Sequence, residues 1–172
     1  MKKMKLILVL ITMFSHSFCF SQKIVKSEID KFSKERRIET DEFNHVINIF
    51  TNMKMSLRSI GENCFMNISG NFAPGLVGTR DAFVFLLDND STVTIYPTGI
   101  QSTEGRGTDE FYDHQYAISA SQVELLALHK VKSFRRYFNS NYKDLDLKNK
   151  FPGKIQALCK VFYTEFIKHQ VL

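Results

Sequence analysis

The sequence predicts an α+β fold: an antiparallel meandering β-sheet of about six to eight strands, with a short helix before its last strand and a C-terminal helix packed on the sheet. Phe83–Leu87 is an unbroken apolar run, and residues 92–96 alternate in a β-branched pattern. The polar residues 88–91 between them suit a tight turn, so the two runs predict a hairpin. Pro152 suits a first helical turn, and apolar residues follow it at helical spacing.

The N-terminal elements are less sharply patterned. Residues 22–37 fit either a helix or a strand, because Val25, Ile29 and Phe32 also match one helical face. We favour a strand here, with a turn at residues 33–35. Further strands are predicted at residues 37–40, 46–50, 54–59 and 64–69. The last two form a second hairpin around a turn at residues 61–63.

The later elements follow from glycines, prolines and one capping pattern. A loop is predicted at residues 70–79, which contain Pro74 and three glycines, and a second at residues 100–108, because Pro97 and Gly99 end the central hairpin. Ser121 and Glu124 fit a capping box, which predicts the short helix. The remaining predictions are a strand at residues 111–119, a strand at 131–138, a polar connection at 139–149 and the C-terminal helix with the apolar stripe Ile155, Leu158, Cys159, Phe162, Phe166 and Ile167.

Residues 1–21 have the layout of a secretory signal peptide, with three lysines, a short apolar run at residues 6–14 and a cleavage zone before Gln22. We therefore expect residues 22–172 to form a single β-rich globular domain in the periplasm, at the cell surface or in the medium. A lipoprotein is the alternative, because Cys19 lies where an acylated cysteine would. Phe18 before it is bulkier than the small residue usual at that position.

The charge balance argues against a nucleic-acid partner. The chain has 23 Lys and Arg against 18 Asp and Glu, a net charge of +5. Residues 1–21 contain three lysines and no acid, which leaves 20 against 18, or +2, for the predicted mature chain. The basicity thus belongs largely to the export signal.

Two cysteines remain in residues 22–172, Cys64 and Cys159. Cys64 points inward on its predicted strand, and Cys159 lies on the apolar face of the C-terminal helix. An exported chain allows a disulfide between them. The alternative is two buried free thiols that behave as small apolar side chains.

The densest group of reactive side chains is the cluster Asp109, Glu110, Asp113 and His114. On a strand, Glu110 and His114 share one face and the two aspartates share the other. A hydrolase or metal site would need one such face together with His45 or His129, because metal sites need three or four converging ligands. The simpler interpretation is a solvated strand face beside a loop.

The other motifs give weaker evidence of a binding or catalytic site. The segment Gly105-Arg106-Gly107 and the pair Gly75 and Gly78 lack the spacing of phosphate-binding loops, so turn glycines explain them and no cofactor or metal is expected. Arg135-Arg136 beside Tyr137 and Phe138 mixes basic and aromatic residues, which a charged strand edge explains equally well. Sixteen phenylalanines and no tryptophan predict a phenylalanine-rich core, or an apolar cavity if some of them line one.

Several segments together resemble a loose group of small exported proteins of unassigned function from Bacteroidetes-type bacteria. They are Phe20-Ser21-Gln22, Asp30-Lys31-Phe32, residues 37–40, Met55-Ser56-Leu57-Arg58, residues 85–89 and the Val131-to-Arg135 strand. The resemblance implies a β-rich exported domain. It implies no catalytic residue.

Three functions follow as hypotheses. The first is a non-enzymatic exported binding or interaction module with an unknown protein or small-molecule partner and no transmembrane segment in the mature chain. The second is a small hydrolase or metal-dependent enzyme built on the Asp109–His114 cluster. The third is a carrier of an apolar ligand in a phenylalanine-lined cavity.

Overall fold

The computed structural model describes residues 22–48, 51–71, 78, 80–104, 111–138, 141–147 and 151–169. They form ten strands and two helices. The strands are β1 (Ile24–Ile29), β2 (Arg36–Thr40), β3 (Phe43–Asn48), β4 (Thr51–Ile60), β5 (Asn63–Gly70), β6 (Phe83–Leu87), β7 (Thr92–Glu104), β8 (Phe111–Ile118), β9 (Val131–Phe138) and β10 (Asn141–Asp146). The helices are α1 (Ala120–Leu128) and α2 (Phe151–Lys168).

The strands form one antiparallel sheet in the order β1-β2-β4-β5-β8-β7-β6-β9-β10, and β3 also pairs with β4. On one edge, the long strand β4 pairs with two strands: its Arg58–Ile60 end pairs with β2, and its Thr51–Met55 end pairs with β3. Its other edge pairs with β5. β7 likewise pairs with β8 on one side and with β6 on the other. An irregularity in β7 between Pro97 and Gln101 interrupts its register with β8.

Helix α2 packs on the inner face of this sheet. It contacts β1, β2 and β4 near one end of the strand order, β9 near the other end, and α1. A single helix reaches strands so far apart in the order because the sheet curves around it. The buried side chains of α2 are Phe151, Ile155, Leu158, Cys159, Phe162 and Phe166, which confirms the apolar stripe.

The core is rich in phenylalanine, as predicted. Phe83 is fully buried and lies against three other aromatic rings, at centroid distances of 4.9 Å from Phe85, 4.8 Å from Phe134 and 5.7 Å from Tyr116. These distances suit the offset and edge-on contacts that aromatic rings prefer. The central hairpin therefore supplies the centre of the core.

The structure confirms the α+β fold, its antiparallel sheet and both helices. It also confirms a strand instead of a helix at the N-terminal end of the described chain, where β1 and β2 form a hairpin. The helix α1 precedes two strands, because the predicted polar connection at residues 139–149 contains β10. Five of the six residues of β10 are exposed, so its composition is polar like that of a loop.

The end of the central hairpin was predicted wrongly. β7 continues through Pro97 and Gly99 to Glu104, into the region predicted as a loop. Pro97 is compatible with the sheet because it lies at the irregularity of β7, where one missing backbone donor costs no regular ladder bond. Gly99 supplies a positive φ of 87° at the same place.

The cap of α1 lies two residues earlier than predicted. Ser119 Oγ accepts a hydrogen bond from the Gln122 backbone N–H at 3.2 Å, and Gln122 Oε1 accepts one from the Ser119 N–H at 2.9 Å. This is a capping box with glutamine in the glutamate position. Ser121 and Glu124 have the same spacing but lie inside the helix.

Both cysteines of the described chain are free and buried, so the predicted alternative of a disulfide is not formed. Burial raises the pKa of the Cys64 thiol to about 11 and raises that of Cys159 further. The predicted signal peptide, including Cys19, and the glycines 75, 105 and 107 lie outside the described residues.

Candidate ligand-binding face

The predicted Asp109–His114 cluster does not converge where the structure describes it. Asp113 is exposed on the outer face of β8, whereas His114 is 2% exposed on the inner face. Asp109 and Glu110 lie outside the described residues. Adjacent residues of a strand point to opposite faces, so Asp113 and His114 cannot act on one substrate.

His114 belongs to a buried polar group. Arg136 Nη2 donates to His114 Nε2 at 3.0 Å, and Arg136 also hydrogen-bonds Tyr116. Burial, together with the Arg136 charge, lowers the pKa of His114 to about 4. The ring is therefore neutral near pH 7, with its proton on Nδ1, because a guanidinium only donates. A neutral histidine that accepts from a buried arginine is a structural group.

Asp113 lines a small polar cleft of about 160 Å³ on the outer face of β4, β5, β7 and β8. The cleft also contains Arg58, Asn67 and Gln115. The second histidine considered from the sequence, His129, lies elsewhere, with Nδ1 3.2 Å from Asp88 Oδ1 at the central hairpin turn. The side chain of His45 lies outside the described residues. In the described part of the chain, no three His, Cys, Asp or Glu side chains are grouped to hold a metal ion.

A more developed site lies on the outer face of β7, β6, β9 and β10. Tyr142 of β10 pairs with Tyr137 of β9, and their ring centroids are 6.1 Å apart. The Tyr137 N–H donates to the Ala82 carbonyl, and the Phe83–Ile95 pairing places Ala82 opposite Tyr96 of β7. Tyr96, Tyr137 and Tyr142 therefore form one row across four strands, which we call the tyrosine face.

An ion pair occupies the next row of this face. Arg135 donates from Nε to Asp144 Oδ1 at 2.6 Å and from Nη2 to Asp144 Oδ2 at 2.7 Å. The same guanidinium lies 4.1 Å from the centroid of the Tyr142 ring. The hydrogen bonds from Arg135 lower the pKa of the Asp144 carboxyl, and the carboxylate raises the pKa of Arg135. The two hydrogen bonds thus fix Arg135 and Asp144 relative to each other, and the guanidinium also packs against the Tyr142 ring.

A groove of about 360 Å³ runs beside these side chains. The half-buried Val84 and Leu86 provide its apolar part. Its polar lining is Thr92, Ser133, Arg135, Asp144 and Asp146, and Tyr137 also lines it. The arrangement offers aromatic surface, hydroxyls and carboxylates at fixed positions, which is the composition of a recognition site.

The strand register explains why this face was not predicted from the sequence. Arg135 points outward and Arg136 points inward at 1% exposure, so the Arg135-Arg136 pair forms no basic patch. Tyr142 and Asp144 lie in the segment predicted as a connection. The two-residue spacing of Tyr142, Asp144 and Asp146 places them on one face of a strand, but five of the six residues of β10 are exposed, so no apolar alternation accompanied this spacing.

Comparison with known proteins identifies no relative. No protein-family model matches the chain, and no curated protein or solved structure is significantly similar to it. Among the described residues, no helix is both long and apolar enough to span a membrane.

Proposed function

We propose that the protein is an exported, non-enzymatic binding module whose tyrosine face binds a carbohydrate chain. The observation that carries the proposal is the row of Tyr96, Tyr137 and Tyr142 beside the paired Arg135 and Asp144. The N-terminal pattern of residues 1–21 supports export. The separation of Asp113 from His114 supports binding over hydrolysis.

The tyrosine face offers partners both for the C–H surface and for the hydroxyls of a sugar ring. One surface of a pyranose consists of C–H groups, which stack on the flat apolar ring of a tyrosine. Its hydroxyls both donate and accept, so the carboxylates of Asp144 and Asp146 and the hydroxyl of Ser133 are suitable partners. Neighbouring strands are about 4.8 Å apart, so a row across four strands is about 14 Å long. A row of that length favours an oligosaccharide over a single sugar.

The charge of the face disfavours a nucleic acid, the other common partner of aromatic platforms. Arg135 is neutralised by Asp144, and Asp146 adds a further negative charge to the groove. Phosphate-rich chains need unpaired cations along their path. A neutral ligand suits this surface better.

Affinity gel electrophoresis against a panel of polysaccharides tests the proposal, followed by calorimetry with oligosaccharides of the retarding polymer. We expect retardation of residues 22–172 by at least one polysaccharide. Tyr142→Ala should weaken that binding at least tenfold, because one stacking ring is lost. Asp144→Ala should also weaken it while leaving the midpoint of thermal unfolding nearly unchanged, because exposed ion pairs add little stability.

The matched control is Phe32→Ala. Phe32 is 96% exposed at the β1–β2 turn, outside the tyrosine face, so its loss removes an aromatic ring without touching the groove. Carbohydrate binding should be unchanged in this variant. Failure of every polysaccharide to bind, or an equal loss in the Phe32 and Tyr142 variants, would contradict the proposal.

A further inference from the structure

A second cavity, of about 530 Å³, opens at the C-terminal end of α2. Its lining comes from the start of β2, the β4–β5 turn and the last described turns of α2: Arg36, Ile38, Gly61, Glu62, Phe166 and His169. None of these residues lies on the tyrosine face. The volume falls within the usual range for sites that hold small organic molecules, about 300–1,000 Å³.

Two apolar side chains of the core lie at the base of this cavity. Ile38 is 1% exposed and Phe166 is 3% exposed, and both belong to the main hydrophobic core. Ile29, the cross-strand neighbour of Arg36, is 57% exposed beside it. An apolar group that entered the cavity would therefore meet Ile38 and Phe166 at its base.

Arg36 is the positive charge of the cavity, and it has no carboxylate partner among the described residues. Its guanidinium donates from Nη1 to the Ser27 hydroxyl at 3.3 Å, a long and neutral contact. By contrast, the adjacent Arg37 points to the other face and lies 3.0 Å from Asp30. A half-buried guanidinium with one weak acceptor retains most of its donors for an anion.

Three acids lie nearby, namely Glu35, whose carboxylate lies against Gly61, Glu62 and Glu165, and none of them forms an ion pair with Arg36 among the described residues. Glu165 accepts from Ser27 Oγ at 2.9 Å, lies 3.1 Å from His169 Nε2 and 3.4 Å from Lys168 Nζ, and these contacts lower its pKa. Glu62 lines the cavity without an ion pair to Arg36 among the described residues. Its charge favours a ligand that carries only one carboxylate.

We infer that this cavity binds a small monocarboxylic acid with an aliphatic tail. The carboxylate binds the guanidinium of Arg36, which is planar and can donate to both carboxylate oxygens. The tail lies over Ile38 and Phe166. This site is separate from the proposed carbohydrate face and uses none of its residues.

Titration with octanoate, followed by calorimetry and by NMR of the Phe and Ile signals, tests the inference on residues 22–172. We expect saturable binding of one octanoate. We expect 1-octanol, which has the same tail and no charge, to bind at least tenfold more weakly. Because this comparison uses the unaltered protein, it does not depend on whether a variant folds.

Arg36→Gln provides the second arm, with Arg37→Gln as its neighbour on the opposite face. Octanoate affinity should fall at least tenfold in the first variant and remain within twofold in the second. Tyr142→Ala should bind octanoate normally, which separates this site from the carbohydrate site. Equal affinities for octanoate and octanol, an equal loss in both arginine variants, or no saturable octanoate binding would overturn the inference.

Discussion

The buried side chain of His114 makes the stability of the fold depend on pH. Its inner-face position beside Arg136 gives it a pKa of about 4, against an ordinary value of 6.5. Unfolding returns the ring to water, where it binds a proton at a higher pH. Above pH 6.5 the ring is neutral in both states, so its full contribution to stability is present there.

We predict that the free energy of unfolding falls by roughly 3 kcal/mol between about pH 6.5 and pH 4 because of this histidine. Denaturant unfolding across that range measures the loss. His114→Gln should remove this pH-dependent part, because the amide oxygen can accept from Arg136 but does not titrate. His129→Gln, at a partly exposed histidine, should retain it. A flat profile for the unaltered protein between these pH values would contradict the assignment.

The two cysteines make a second prediction at this scale. Both are buried, and burial raises both thiol pKa values, so neither supplies much thiolate at neutral pH. Iodoacetamide should modify neither thiol in the native protein and both in denaturant. Intact mass spectrometry measures the adducts. Failure of the denatured, unreduced protein to react would show that a disulfide forms in solution.

At the scale of elements, the pairing of β4 with β5 depends on Gly70. Gly70 pairs with Met53 and has a φ of +143°. A Cβ there would collide with the Asn52 carbonyl oxygen, which is backbone and has little room to move. The close pairing at this end of the hairpin therefore requires glycine.

We predict that Gly70→Ala lowers the free energy of unfolding by about 1–3 kcal/mol, from backbone strain and the carbonyl contact. Gly153 is the matched position, since a Cβ there meets nothing within 4 Å and the residue lies in helix α2. Gly153→Ala should raise stability by about 0.5–1 kcal/mol. Thermal unfolding of both variants measures the contrast, and equal effects of the same sign would contradict it.

Helices and strands were predicted correctly where their buried residues form a recognisable pattern in the sequence. Phe83, Phe85 and Leu87 of β6 and the stripe of α2 pack in the core, so an unbroken apolar run identified the strand and apolar residues at helical spacing identified the helix. β10 is exposed along most of its length, and its residues reflect the surface. Periodicity therefore could not separate this edge strand from a loop.

For the whole molecule, composition and alternation predicted an antiparallel sheet covered by a helix, because these depend on local pairing and on one apolar face. The order of the strands depends on pairings between distant segments, such as β6 with β9, which no local pattern records. The tyrosine face extends across four strands whose order no local pattern records, so the sequence did not predict it. The cavity beside Arg36 likewise joins β2 to the end of α2, which lie far apart in the chain.

The position of α2 has a consequence for the order of assembly. Every described strand precedes α2 in the chain, yet this helix fills the inner face of the curved sheet. Until residues 151–168 are available, the inward phenylalanines of the sheet have no cover, and contacts between distant segments close late. A chain that lacks residues 151–168 therefore cannot form its native core.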